Sequence, residues 1–254
     1  MVGRLGRDTF GAQLLEGLTA ARIDHTFVTQ DQEAPTGVAL IVVDDAGQNS
    51  IVVASGANKR LSPEDVNAAE RVIASSDVLL LQLESPLDTV IRSVELAHHH
   101  GVTVILNPAP ARPLPDRLLA MVDVLIPNES ETALLAGTSV ESLDHAGSAA
   151  VALLQLGVGA VVLTLGDRGA MLAREGHTEV VPAFQVQAVD TTAAGDAFVA
   201  GLAVALAEGM ALVDAVRWGN AAGALATTVH GAQPSLPTRQ DLEQLLTSVQ
   251  PKST

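Results

Sequence analysis

Apolar and polar residues alternate along this chain in a pattern that predicts an α/β fold. From Pro63 onward, short runs rich in Val, Ile and Leu come between longer segments whose apolar residues recur every three to four positions. Strands alternating with helices in this way are typical of a mostly parallel, doubly wound sheet with helices on both faces. The predicted helices are 8–21, 63–74, 87–99, 114–121, 131–136, 143–156, 195–207, 212–228 and 239–249, and the predicted strands are 78–83, 102–106, 124–126 and 160–165.

An earlier segment, about residues 35–58, has a different pattern. The apolar runs Val38–Val43 and Ile51–Val53 flank the polar turn Asp44–Asn49, which predicts a small antiparallel β lid. The stretch 166–186 also contains hairpin-like pieces. Because no repeat or low-complexity linker divides the chain, we predict a single domain over residues 1–254.

Composition and charge exclude several classes of function. The chain has 254 residues, of which 48% are hydrophobic and only 2% aromatic, so Ala, Val and Leu must build the core. Its formal net charge of −15 argues against nucleic acid and anionic membranes as partners, because both need a basic face. The absence of Cys excludes disulfides and Cys-based zinc sites. No run reaches the ~18 apolar residues of a membrane span, and the first residues have no signal-peptide core, so we expect a cytoplasmic protein.

The most distinctive local sequence is Asp190–Asp196, which reads Asp-Thr-Thr-Ala-Ala-Gly-Asp and runs into an apolar helix. Small residues allow close approach to the backbone, and the free N–H groups and dipole of a helix start favour an anion such as phosphate. Asp196 would then need a task, such as removing a proton from an attacking hydroxyl. The alternative is that Asp190 or Thr192 caps the helix and Asp196 adds a favourable first-turn charge.

This loop and four further strings resemble the ribokinase-like family of carbohydrate kinases. The strings are Asn-Pro-Ala-Pro-Ala-Arg at 107–112, Pro-Asn-Glu-Ser-Glu at 127–131, Thr-Leu-Gly-Asp-Arg-Gly at 164–169 and Gly-Ala-Gln-Pro-Ser at 231–235, in the family's order. The resemblance runs from Val2 to about Leu245 and favours ribokinases over fructokinases and adenosine kinases. It implies phosphorylation of D-ribose to D-ribose 5-phosphate with ATP, Mg²⁺ and K⁺. An exposed β lid also favours a homodimer.

The resemblance implies roles for the residues of the anion loop and of one further motif. Asp196 corresponds to the catalytic base, which also contacts the substrate, and the backbone N–H groups of Ala193, Ala194 and Gly195 form the anion hole. Asn128 and Glu131 match a motif that acts near Mg²⁺ and the phosphates, with Glu131 acting through water. The alternative for this motif is an N-cap with a capping box.

Further positions carry roles by the same resemblance. Residues matching nucleotide-binding positions are Thr164, Gly166, Gly169 and Asn220, although the two glycines are also ordinary turn residues. Residues matching a monovalent-cation site are Asp190, Thr192, Ala226, Gly231 and Ser235, whose oxygens suit hard cations. Glu84 matches a sugar-contacting glutamate, and an exposed loop carboxylate is its alternative.

The chain departs from the family pattern at its beginning. The family's opening strand with a sugar-binding aspartate and the glycine-rich loop after it are both absent, and residues 2–11 resemble a segment that follows them. We therefore expect a chain shortened by about 30 or more residues, the size of a βα unit. Two alternatives to a ribose kinase stay open: another sugar or nucleoside kinase, such as a fructokinase, and a non-catalytic nucleotide-binding relative.

Overall fold

The computed structural model describes residues 1–43 and 49–248. Its strands are β1 (Val2–Gly6), β2 (Phe27–Asp31), β3 (Val38–Val43), β4 (Asn49–Ala54), β5 (Val78–Leu81), β6 (Thr103–Leu106), β7 (Val124–Leu125), β8 (Ala160–Thr164), β9 (Ala170–Arg174) and β10 (His177–Val181). Its helices are α1 (Thr9–Ala20), α2 (Pro63–Ala68), α3 (Glu70–Ala74), α4 (Leu87–His99), α5 (Asp116–Leu119), α6 (Glu129–Ala136), α7 (Leu143–Leu154), α8 (Ala194–Ala207), α9 (Leu212–Ala226) and α10 (Arg239–Ser248). The chain divides into two compact units, residues 1–76 with 82–102, and residues 77–81 with 103–254.

The second unit is built on a six-stranded sheet with the order β10-β9-β8-β7-β6-β5. Strands β5, β6, β7 and β8 pair in parallel with one another, whereas β9 pairs antiparallel with both β8 and β10. The antiparallel part follows from the short turn Gly166–Arg168, which is too short for a crossover helix. This mixed sheet confirms the predicted α/β class and its largely parallel character.

Helices cover both faces of this sheet, because successive residues of β6, β8 and β9 are buried on both faces. Val162 of β8 and Leu172 of β9 are fully buried in a cluster with Phe198 and Leu202 of α8. Helix α7 contacts β8 and β9, and four of its residues, Ala146, Ala149, Ala150 and Leu153, are fully buried. The core is therefore aliphatic and alanine-rich, as the low aromatic content indicates.

The first unit contains two small sheets. Strands β1 and β2 pair in parallel, and β3 pairs antiparallel with β4. The second pairing confirms the predicted hairpin, although residues 44–48 of its turn lie outside the described residues. Arg4 of β1 forms ion pairs with Asp31 at 3.2 Å and Asp65 at 2.8 Å, which tie β1 to the end of β2 and to α2.

Some elements differ from the sequence predictions. Strands β1 and β2 were not predicted, because Val2–Gly6 contains two glycines and an arginine and Phe27–Asp31 ends in polar residues. The predicted helix 63–74 is interrupted at Ala69, whose φ of −91° and ψ of 3° end α2 before α3 begins. The predicted helix 114–121 is only Asp116–Leu119, and Val249 of the last predicted helix lies outside the described residues. Within residues 1–43 and 49–248, no helix is long and apolar enough to cross a membrane.

Candidate active site

A cavity of about 320 Å³ lies in the second unit, beside the start of α8. It collects the four predicted nucleotide-binding residues and two residues of the predicted anion loop: Thr164, Gly166, Gly169, Asn220, Ala194 and Gly195. The remaining lining residues are Asp167, Ala183, Phe184, Gln185, Val186, Ala188, Thr191, Phe198, Gly223, Ala224 and Thr227. Residues as far apart in the sequence as Thr164 and Thr227 therefore line one cavity.

The turn after β8 forms one wall of this cavity because its glycines adopt left-handed conformations. Gly166 has a φ of +61° and Gly169 a φ of +91°. A Cβ on Gly169 would lie 2.2 Å from the carbonyl oxygen of Val181 and 2.6 Å from the amide nitrogen of Ala183. Gly169 therefore supplies more than the positive φ that the turn requires: its lack of a Cβ allows the turn to pack closely against the end of β10 and the segment that follows it.

Asn220 of α9 also holds this segment in place. It is buried, with 7% of its surface exposed. Its side-chain amide Nδ2 donates hydrogen bonds to the carbonyl oxygens of Val181 at 2.9 Å and Pro182 at 3.1 Å. Asn220 therefore lines the cavity and also holds in place the segment from Val181 to Ala183, which leads into another part of its wall.

The start of α8 is arranged as an anion-binding helix terminus. Ala193 is its N-cap and has a φ of +59°, a left-handed conformation that costs a non-glycine residue about 1–2 kcal/mol. Ala194 donates its N–H to Thr191 O at 3.2 Å, and Ala197 donates to Ala193 O at 2.9 Å. Within the described part of the chain, the N–H groups of Ala193, Gly195 and Asp196 have no acceptor. The predicted anion hole therefore changes: the N–H of Ala194 is already paired, and the donors available to an anion are those of Ala193, Gly195 and Asp196.

Asp196 lies in the first turn of α8. Its residue surface is exposed, yet desolvation by the surrounding protein raises the pKa of its carboxyl above the ordinary value. None of its side-chain oxygens accepts a hydrogen bond from another described residue. A carboxylate without an internal partner and with a raised pKa has the properties of a general base.

Asp190 fixes the beginning of the same loop. One carboxylate oxygen accepts the N–H of Thr192 at 2.9 Å, and the other accepts the N–H of Gly231 at 2.9 Å. These hydrogen bonds, that of Gly231 foremost, lower the pKa of Asp190 to about 2. Three of the five predicted cation-site residues are therefore joined directly by hydrogen bonds around an ionised carboxylate.

The other two predicted cation-site residues lie nearby in the sequence but are not part of this hydrogen-bonded group. Ala226 is the buried last residue of α9, and Ser235 is buried with its hydroxyl donating to Ala232 O at 2.7 Å. The cation site as a whole stays a prediction. Glu84 is an exposed residue of the first unit, and its role in sugar binding also stays a prediction.

Asn128 and Glu131 form the capping box that was the alternative to a phosphate-binding role. Asn128 Oδ1 accepts the N–H of Glu131 at 2.9 Å, and Glu131 Oε2 accepts the N–H of Asn128 at 2.8 Å. Glu131 is only 6% exposed, and burial raises the pKa of its carboxyl. Asn128 also bridges to Thr164 of β8, so the box is adjacent to the cavity wall.

An ion pair beside the box was not predicted. Arg168, in the turn after β8, pairs with Glu129, the first residue of α6. The two residues are 39 positions apart, and neither belongs to a pattern that signals a contact. The pair connects the turn that lines the cavity to the helix that carries the capping box.

Comparison with known proteins places these features in a family. The model of pfkB family carbohydrate kinases matches residues 1–239. A ribokinase from Haemophilus influenzae is 42% identical over 242 residues, which cover 95% of this chain and 79% of that protein. This chain belongs to the pfkB family of carbohydrate kinases.

Further relatives of this pfkB-family kinase include more than one pentose kinase. A deoxyribokinase from Salmonella typhi is 35% identical over 247 residues, covering 97% of this chain and 81% of that protein. The structure of Arabidopsis thaliana ribokinase complexed with ribose and ATP is similar with a TM-score of 0.89 and 34% identity, over 96% of this chain and 80% of that chain. These comparisons confirm the predicted resemblance, the fold class and the assignment as a carbohydrate kinase.

Proposed function

We propose that this pfkB-family kinase transfers the γ-phosphoryl group of ATP to the primary hydroxyl of D-ribose, giving D-ribose 5-phosphate and ADP. The observation that carries the proposal is the similarity to ribokinases over nearly the whole chain, at 42% identity for the Haemophilus influenzae protein. The similarity to a ribokinase complexed with ribose and ATP, at a TM-score of 0.89, supports the same substrates.

The nucleotide would bind in the cavity, with its phosphates at the start of α8. Glycines at 166 and 169 form a wall that a nucleoside can approach closely. The free N–H groups of Ala193, Gly195 and Asp196 suit the negative charge of the phosphates. The chain has few basic residues and a net charge of −15, so these backbone N–H groups would supply the positive potential that attracts the phosphates.

Asp196 would act as the general base. Its carboxylate removes the proton of the sugar hydroxyl as the hydroxyl oxygen forms a bond to the γ-phosphorus, and the bond from phosphorus to the bridging oxygen breaks to release ADP. The free backbone N–H groups of Ala193, Gly195 and Asp196 would stabilise charge on the phosphoryl oxygens, at about 3 kcal/mol for a single donor. The desolvation that raises the pKa of Asp196 also makes it a stronger base.

Mg²⁺ and K⁺ would complete the site. The described residues contain no group of three His, Cys, Asp or Glu side chains that could cage a metal, which suits Mg²⁺ held mainly by phosphates and water. Asn128 and Glu131 would hold Mg²⁺ through water, and the ion would neutralise charge on the phosphates. The ionised Asp190 supports a monovalent cation, with Thr192, Ala226, Gly231 and Ser235 as the further oxygen donors.

The β3–β4 hairpin supports the proposal of a homodimer. Leu40 and Val52 are paired across its strands, and they are 66% and 65% exposed. An apolar cross-strand pair this exposed favours a partner surface, which a second copy would supply through a symmetric contact. Light scattering after size-exclusion chromatography should then give twice the chain mass of 26.1 kDa, and a monomer at micromolar concentration would reject the proposal.

A kinase assay tests the proposed function. ADP release should require D-ribose, and 2-deoxyribose is the second acceptor to compare because a deoxyribokinase is 35% identical to this chain. Fructose and adenosine cover the sugar and nucleoside kinase alternatives. Folded protein that binds ATP but releases no ADP with any acceptor would favour a non-catalytic relative.

A pair of variants tests the assigned base. Asp196→Asn should lower kcat by about 10²–10⁴-fold, because it removes general-base catalysis while leaving the backbone donors in place. Asp214→Asn is a matched control, since Asp214 is an exposed first-turn aspartate of the next helix, α9. Equal activity of the two variants would overturn the assignment of Asp196.

A further inference from the structure

A buried threonine joins three segments of the first unit at the hairpin root, the residues 35–37 and 55–57 that flank the β3–β4 hairpin. Thr36 lies two positions before β3. Its hydroxyl accepts the N–H of Gly6, at the end of β1, at 3.0 Å and donates to Asp8 Oδ1 at 2.7 Å. Its own N–H donates to Asp8 Oδ2 at 2.7 Å. The segment that leads into the hairpin is therefore held at the junction between β1 and α1.

Asp8 is the acceptor on which this junction depends. It is the N-cap of α1, and its Oδ1 also accepts the N–H of Gly11 at 2.8 Å. These hydrogen bonds, that of Gly11 foremost, lower the pKa of the Asp8 carboxyl, so it is ionised at neutral pH. Hydrogen bonds to an ionised acceptor are about twice as strong as those between neutral groups. An amide in its place would turn a donor towards one of these partners, because both carboxylate oxygens now accept.

The backbone at the hairpin root is closely packed. A Cβ on Gly6 would lie 2.4 Å from the amide nitrogen of Thr36, and a Cβ on Gly56 would lie 2.3 Å from the carbonyl oxygen of Pro35. Gly56 follows β4, and the next residue, Ala57, donates its N–H to the same carbonyl oxygen at 2.8 Å. Both ends of the hairpin therefore meet at one contact, which fixes the direction in which the hairpin leaves the first unit.

A second anchor at the hairpin root is weaker. Asp31, at the end of β2, accepts the N–H groups of Glu33 at 2.9 Å and Ala34 at 2.8 Å. It also pairs at 2.8 Å with Nε of Arg60, which follows β4. Because the Arg60 side chain is half-exposed, water and salt weaken this pair. The buried contact between Asp8 and Thr36 is therefore the main constraint on the hairpin.

We propose that Asp8 is a positioning residue for the homodimer, because it holds the hairpin through Thr36 in the orientation that a second copy binds. The inference rests on the proposed symmetric contact through Leu40 and Val52. Leu40 is four positions from Thr36 and is paired with Val52, so a change of direction at the hairpin root displaces both apolar side chains. A surface that is already held in its binding orientation loses less conformational freedom on association.

The dissociation constant of the dimer, measured by sedimentation well below the unfolding temperature, tests the proposal. Asp8→Asn should raise this constant about tenfold, the value of one hydrogen bond. Asp24→Asn is the matched control and should leave it unchanged. Asp24 accepts the N–H of Thr26 at 2.9 Å and its hydroxyl at 2.7 Å, but in an exposed turn away from the hairpin root. If Asp8 only stabilised the fold, Asp8→Asn would lower Tm and leave the dissociation constant unchanged, which would overturn the inference.

A second pair of variants isolates the hydroxyl of Thr36. Thr36→Val keeps the shape of the side chain and removes both hydrogen bonds of the hydroxyl, so it should also raise the dissociation constant about tenfold. Thr36→Ser keeps the hydroxyl and should restore the wild-type value. Equal constants for the two variants contradict the proposal.

Hydrogen exchange of the wild-type protein tests the junction without any substitution, and so does not depend on whether the variants fold. The amide of Thr36 should exchange as slowly as the amides of β8, and fast exchange would overturn the inference. A wild-type chain that stays monomeric overturns the proposed homodimer together with this inference. A wild-type dimer whose dissociation constant is unchanged in Asp8→Asn and Thr36→Val overturns this inference alone.

Discussion

Replacing Asn128 by Ala should destabilise the protein, because this side chain closes the capping box at the start of α6. The change removes the acceptor of the Glu131 N–H at 2.9 Å and the Nδ2 donor that lies 2.9 Å from Glu131 Oε1. Glu131, which is only 6% exposed in the wild-type chain, would keep the Asn128 N–H, at 2.8 Å, as the one remaining donor of the box to its carboxylate. The variant thus combines the loss of a helix cap with the partial loss of partners for a buried charge.

The magnitude follows from these two losses. An N-cap side chain contributes about 1 kcal/mol, and a hydrogen bond to a charged group contributes about 1.5–3 kcal/mol. The expected decrease in unfolding free energy is therefore about 2.5–4 kcal/mol. At about 2–4 °C per kcal/mol for a chain of this size, the melting temperature should fall by about 5–16 °C.

Thermal unfolding followed by circular dichroism measures this effect. Ser130→Ala is the matched control: the Ser130 hydroxyl donates to Asn128 Oδ1 at 2.8 Å from an exposed position, so its loss should change Tm by no more than a degree or two. Activity measured well below the transition gives a separate readout of any role of Asn128 near the phosphates. A Tm within 2 °C of the wild type would refute the structural reasoning about the capping box.

Three further predictions follow from the site. Gly169→Ala should raise the KM for ATP, because its Cβ would lie 2.2 Å from a carbonyl oxygen of the cavity wall, whereas Gly176→Ala, at an open turn of similar conformation, should leave KM unchanged. Asp190→Asn should lower Tm at neutral pH, because an amide cannot accept both N–H groups. The pKa of Asp190 is lowered to about 2 in the folded protein, so its carboxylate contributes full stability above the unfolded-state pKa of about 3.9. The difference in Tm between wild type and variant should therefore shrink as the pH falls from about 3.9 towards 2. The raised pKa of Asp196 predicts that kcat/KM falls as pH decreases through a value above the ordinary 3.9 or so, and the same acid limb in Asp196→Asn would contradict that assignment.

The sequence predicts the parts of this fold that depend on local patterns. Alternating apolar runs and amphipathic segments locate most strands and helices of the second unit, and the flanked turn locates the β3–β4 hairpin. The anion loop is predicted because its small residues and the following apolar helix are contiguous in the chain. The capping box is predicted because Asn128 and Glu131 are three positions apart.

The features that were missed depend on contacts between distant residues. The pairing of β1 with β2 stabilises two segments whose own composition favours loops. Arg168 and Glu129 are 39 positions apart and become partners only through the packing of β8 beside α6. The orientation of Asn220 likewise depends on carbonyl groups 38 and 39 positions away. No periodicity or short motif encodes these contacts.

The reaction itself provides the most direct test of the account. Phosphorus NMR of the protein incubated with ATP, Mg²⁺, K⁺ and D-ribose identifies both the transfer and the hydroxyl that receives the phosphoryl group. We expect equal amounts of ADP and D-ribose 5-phosphate, with neither formed when ribose is omitted. Folded protein that binds ATP but forms no sugar phosphate, or a product phosphorylated at another hydroxyl, would contradict the proposed function.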